Sequence, residues 1–95
     1  MTMNYEIMII TSTRVGENYD NEIEKYTEII NTNGGELKNV EKWGEKRLAY
    51  EISDMNSGLY SLLSFKGDKK TITELDRRMK IDENVLRHMI IRQAH

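Results

Sequence analysis

Residues 36–65 read ELKNVEKWGEKRLAYEISDMNSGLYSLLSF, and the pattern of this stretch decides the fold. Val40, Leu48, Tyr50 and Ile52 give residues 36–52 the chemistry of a long strand, while Gly44, directly after Trp43, invites a bulge in its middle. Ser53-Asp54-Met55-Asn56-Ser57-Gly58 supplies turn formers. Alternation then resumes over residues 59–65, with Leu59, Ser61, Leu63 and Phe65 on one phase and Tyr60, Leu62 and Ser64 on the other. Two antiparallel strands joined by a turn are therefore expected at the centre of the chain, and what flanks them sets the topology.

Toward the N-terminus, Asn31-Thr32-Asn33-Gly34-Gly35 is a helix stop, since glycine takes the left-handed conformation that closes a helix. The helix it ends is expected from Glu17, with Tyr19, Ile23, Tyr26 and Ile30 as one stripe and Glu22, Glu24, Lys25 and Glu28 on the remaining faces. Before it, Tyr5 to Thr11 alternates Tyr5, Ile7 and Ile9 against Glu6, Met8 and Ile10, a strand covered on both sides. Toward the C-terminus, Asp68 is placed to cap a second helix with an Ile72, Leu75, Met79 stripe and with Arg77, Arg78 and Lys80 in its last turn. Asp82-Glu83-Asn84 breaks it, and Val85 to Arg92 alternates Leu86, His88 and Ile90 against Arg87, Met89 and Ile91. The order β-α-β-β-α-β predicts an α+β, ferredoxin-like fold, a four-stranded antiparallel sheet with two helices on one face, as a single domain over residues 1–95.

Composition narrows the chemistry. The chain has no cysteine, which removes disulfides, thiolate metal sites and a cysteine nucleophile. Its longest apolar run, Ile7 to Ile10, is far short of the roughly 18 to 20 residues that span a bilayer, and no leader pattern opens it, so a soluble cytoplasmic protein without a membrane is expected. Net charge is −2, but residues 1–41 hold three bases against eight acids and residues 42–95 hold eleven against eight. An acidic total argues against indiscriminate nucleic-acid binding, while the basic second half leaves room for a local phosphate-contacting surface.

Neither histidine, His88 nor His95, has a neighbour at metal-ligand spacing, so no metal or other cofactor is expected; His88 reads as structural and His95 as chain end. The Thr11 to Gly16 loop with Arg14 offers the place where an enzyme of this fold class would hold a phosphate, which keeps a small phosphate-processing enzyme as one alternative. Met8, Tyr60, Leu62, Met89 and Ile91, with Ile10, are expected on the sheet face that the helices leave open. That face is greasy rather than aromatic and basic, so it suits a protein partner, including a second copy of the chain, better than bases. Beyond Gly44, Lys46 and Arg47 are expected on a projecting hairpin arm within reach of phosphates, and Arg87 and Arg92 add bases on the last strand.

The Asn4 to Met8 opening, the run Trp43-Gly44-Glu45-Lys46-Arg47-Leu48-Ala49-Tyr50-Glu51-Ile52, and Lys80 to Arg87 followed by Met89-Ile90-Ile91 closely resemble the family of the sixth bacterial small-subunit ribosomal protein. The resemblance spans nearly the whole chain. Glu45 stands where a basic or apolar residue is frequent in that family, and Glu51 where many members have proline. The resemblance implies a ferredoxin-like fold and a structural, non-enzymatic role in the ribosome of the cytoplasm, without a small-molecule substrate. It also implies binding to the central domain of 16S ribosomal RNA as a heterodimer with the eighteenth small-subunit ribosomal protein. Lys46, Arg47, Arg87 and Arg92 are then the expected RNA contacts, and Met8, Tyr60, Leu62, Met89 and Ile91 the expected partner contacts.

Overall fold

A computed structural model describes residues 2–93, which leaves His95 outside the described residues. Strands β1 (Met3–Thr11), β2 (Glu36–Ile52), β3 (Met55–Gly67) and β4 (Val85–Arg92) alternate with helices α1 (Tyr19–Thr32) and α2 (Lys69–Lys80) in the expected β-α-β-β-α-β order. The sheet runs β2-β3-β1-β4 with every neighbouring pair antiparallel, so β1 and β3 are central and β2 and β4 form the edges. This is the ferredoxin-like arrangement.

The core lies between the helices and one sheet face. Ile7 and Ile9 of β1 and Leu63 and Phe65 of β3 meet Ile23, Tyr26, Ile29 and Ile30 of α1 and Leu75 and Met79 of α2, all buried. Burial of so many branched and aromatic side chains is the main driving force of the fold, at roughly 1.5 to 3 kcal/mol each. The α2 stripe begins one residue earlier than the apolar pattern suggests. Thr71, fully buried, replaces Ile72 at its start because its hydroxyl donates to the Asn33 carbonyl at 3.0 Å and so costs nothing in unsatisfied polarity. Asp68 caps α2 as expected, accepting from the Thr71 amide at 3.2 Å.

Three further expectations are corrected. Residues Thr13–Asn18 are not open loop but a 3-10 segment capped by Ser12, which precedes α1. Glu22 is not on an exposed face of α1; only 7% of it is accessible. The turn after β2 is also shorter than residues 53–58: Ser53 and Asp54, at φ 49° and 65°, form a two-residue hairpin turn of the kind that matches the right-handed twist of the flanking strands, and β3 resumes at Met55. Gly44 does sit at a register shift in β2, and its φ of 80° is a conformation glycine adopts without steric cost. Among the described residues, no helix is long and apolar enough to cross a membrane.

Candidate nucleic-acid and protein interface

The strand registers assemble the open sheet face row by row. Glu41, Leu62, Met8 and Met89 stand side by side across the four strands, then Gly44, Tyr60, Ile10 and Arg87, and on the other side Asn39, Ser64, Glu6 and Ile91. Period-two alternation puts these residues opposite Ile7, Ile9 and Leu63, which point into the core. All five expected partner residues, Met8, Tyr60, Leu62, Met89 and Ile91, therefore share one face. Met8, Tyr60 and Leu62 are half-buried, whereas Met89 is 53% and Ile91 49% exposed, since both stand on an edge strand.

The second halves of β2 and the start of β3 continue past the sheet as an arm. Between Arg47 and Ile52 the β2–β3 pairing shifts register, and such a shift re-aims side chains. Tyr50 is turned back so that its hydroxyl accepts a hydrogen bond from the Arg87 guanidinium on β4, which also lies over the Tyr50 ring at 5.9 Å. Lys46 is paired with Gly58 on the open-face phase and puts its Nζ 4.9 Å from the centre of the Trp43 ring.

The four expected RNA contacts are not one patch. Lys46 and Arg47 are both exposed, but as neighbours on a strand they point to opposite sides of the arm, Arg47 toward the side of Glu45 and Ser57. Arg87 and Arg92 are likewise on opposite phases of β4, about 17 Å apart along it, with Arg92 across from Tyr5. Lys46 and Arg87 share the open face; Arg47 and Arg92 are separated from them. Sequence reading passed over Trp43 and Tyr50, which are 43% and 60% exposed. Their signal is the run Trp43 to Tyr50 itself, but strand periodicity cannot tell an aromatic on an exposed edge strand from one in a core.

The other candidate places are occupied by the chain's own groups. In the Arg14 segment the Ser12 amide donates to the Asn84 carbonyl at 2.7 Å, the Arg14 amide to Ser12 Oγ at 3.2 Å and the Val15 amide to the Ser12 carbonyl at 3.2 Å, so these amides are spent inside the fold rather than turned toward an anion. His88 faces α2, 17% exposed, with Nε2 2.8 Å from Asp76 Oδ1; that bond and one from Lys80 hold the Asp76 carboxyl below the usual range. On α1, Tyr26 and Lys25 both donate to Asp82 Oδ2, at 2.5 and 2.8 Å, and Lys25 also meets Glu22 Oε1 at 3.0 Å. Burial and the hydrogen bond with Asp82 raise the Glu22 carboxyl above its ordinary range. Among the described residues, no group of three His, Cys, Asp or Glu side chains is placed to hold a metal ion.

Comparison with known proteins agrees with this architecture from end to end. The family model described as ribosomal protein S6 matches residues 4–92. The small ribosomal subunit protein bS6 of Desulforamulus reducens is 42% identical over 92 residues, covering 96% of this chain and 97% of its own length. That of Clostridium acetobutylicum is 40% identical over 88 residues, covering 92% and 93%. The crystal structure of 30S ribosomal protein S6 from Thermotoga maritima superposes with a TM-score of 0.92 at 28% identity, covering 98% of this chain and 89% of that one. With the family pattern spanning both the fold and the arm, the chain belongs to the bacterial ribosomal protein S6 family of the small ribosomal subunit.

Proposed function

We propose that this chain, acting as one domain over residues 1–95, is a structural component of the small ribosomal subunit. In this reading it binds the central domain of 16S ribosomal RNA together with the eighteenth small-subunit protein and catalyses no reaction. Its place is the ribosome in the cytoplasm. One observation carries the reading. The row Leu62, Met8, Met89 is an apolar strip on the sheet face that the helices leave open, and the next row ends in Arg87. An apolar centre with a basic rim suits a protein partner whose bound edge lies along a phosphate backbone.

Charge explains why a partner is needed. At a net charge of −2, with its open-face bases few and spread apart, Lys46 and Arg87 toward one end of the sheet and Lys66 toward the other, the chain alone has little counterion release to drive RNA binding. A basic partner on the apolar face joins two weak surfaces into one and raises their effective concentration on the RNA. The test is a titration of a central-domain RNA fragment at physiological salt, first with this chain alone and then with the eighteenth protein present. Binding weaker than about micromolar alone, tightened at least about tenfold by the partner, is expected; that factor is about 1.4 kcal/mol of coupling. Tight specific binding by the chain alone, or no gain from the partner, would overturn the reading.

A further inference from the structure

We infer that Trp43 and Tyr50 form a stacking platform for unpaired nucleotides, each ring taking a base and its companion cation the adjoining phosphate. This deepens the RNA-binding reading above and rests on it. The two rings are the most exposed aromatics of the chain, at 43% and 60%, and both belong to the edge strand β2, Trp43 beside the Gly44 row of the sheet and Tyr50 on the arm beyond it. Each is held by neighbours instead of being left to wander. The Trp43 indole donates to Glu41 Oε1 at 3.4 Å and carries Lys46 Nζ at 4.9 Å, while Tyr50 is bonded to and covered on one side by Arg87.

A ring with a cation beside it presents two adjacent recognition elements, a π face and a positive charge. A nucleotide uses both, because a planar base and an anionic phosphate sit within one residue of each other. An apolar protein side chain laid on the same ring would use only the face and would strip water from Lys46 or Arg87 without neutralising it. Bases inside a duplex already stack on one another, so the ligand is an unpaired or looped-out segment rather than a helix. Stacking also differs from phosphate contact in its response to salt, which makes the two separable.

Trp43 is the one tryptophan in the sequence, so its emission reports on this platform. The chain in complex with the eighteenth small-subunit protein is titrated with a labelled central-domain RNA fragment, following the label and the tryptophan emission together. Quenching of Trp43 over the same concentrations as the label signal is expected. Trp43→Ala and Tyr50→Ala should each weaken RNA binding by about fivefold or more with the salt slope unchanged, and Trp43→Phe should retain most of the affinity. Lys46→Gln should lower the salt slope by about one instead. Thermal unfolding of Trp43→Ala should match the parent, since the ring is exposed. RNA binding with unchanged emission, or an unaffected Trp43→Ala variant, overturns the platform while leaving the RNA reading intact. So does an emission change on adding the protein partner but none on adding RNA, which would give the ring to the protein interface. If the labelled RNA does not bind the complex at all, the RNA reading itself fails, and the platform with it.

Discussion

Glu22 brings an acid to the border of the α1 apolar stripe, where 7% of it is accessible and its Oε2 has no hydrogen-bond donor. Its carboxyl is placed against that of Asp82, which opposes the cost of its own burial by hydrogen bonds with Glu22, Lys25 and Tyr26 and is held well below the ordinary carboxylate range. Two carboxyls in one site cannot both be charged cheaply, so burial and the neighbouring Asp82 carboxylate raise the Glu22 carboxyl above its ordinary range, against the opposing pull of Lys25. Because Glu22 holds a proton more tightly folded than unfolded, its contribution to stability is complete below the ordinary carboxylate pKa and is lost as pH rises through its raised folded value. Asp82 has the opposite sign: it stabilises above the ordinary range and loses this only as pH falls through its depressed value. Glu22→Gln, which carries no titratable carboxyl beside Asp82, should therefore flatten the decline in stability as pH rises above the ordinary carboxylate range. Urea melts at several pH values measure this, and identical pH slopes in parent and variant would show that the Glu22 carboxyl is not raised by folding. No sequence pattern exposed the pair, because a glutamate beside Lys25 on a helix reads as a solvated face until Asp82, 60 positions away, is folded against it.

At the scale of elements, legibility followed the hydrophobic period. The β2 and β4 boundaries match the sequence reading because residues 36–52 lie between Gly34-Gly35 and Ser53-Asp54 and residues 85–92 follow the Asp82-Glu83-Asn84 break, and the α1 stripe of Ile23, Tyr26 and Ile30 is buried as read. The β2–β3 turn differs from expectation where that period gives little information: Met55 and Ser57 pair with Ile52 and Arg47 on an arm beyond the core, where no apolar alternation is needed. Turn chemistry was also misleading, since the observed turn has serine and aspartate at left-handed positions that favour asparagine and glycine. Each such non-glycine residue costs roughly 1 kcal/mol of backbone strain, with aspartate at the low end. Replacing Ser53 by Asn together with Asp54 by Gly should therefore stabilise the chain by about 0.5 to 1 kcal/mol, which for a domain of this size raises the melting temperature by several degrees. Calorimetry measures the gain; a loss of stability would mean that the turn is not of this type in solution.

On the scale of the whole molecule, one sheet face was assigned correctly from alternation alone, yet the four bases were grouped by proximity in sequence, which a strand contradicts at every step. Lys46 and Arg47 diverge because successive side chains of a strand point to opposite faces, and Arg87 joins Tyr50 of the arm because a register shift turns that arm back over the sheet. The result is an apolar strip whose arm end is aromatic and basic; under the proposed function, docking of a protein partner and binding of RNA would meet on this one face. Met89 tests this better than Ile91. A glutamate in place of Ile91 would stand directly across from Glu6, and like charges facing each other across strands destabilise the sheet itself. Met89 faces Met8 and is 53% exposed, so Met89→Glu adds a charge that water can still solvate in the free chain but that a docked partner would bury unpaired. Thermal unfolding of the variant should stay close to the parent, while affinity for the eighteenth small-subunit protein should fall by about a hundredfold or more, and RNA affinity of the mixture should fall with it. Sedimentation of the free chain distinguishes the competing occupant: if a second copy covers this face, the parent sediments as a dimer and Met89→Glu as a monomer. Full partner affinity in Met89→Glu would move the docking site off the sheet face and onto one of the two edges.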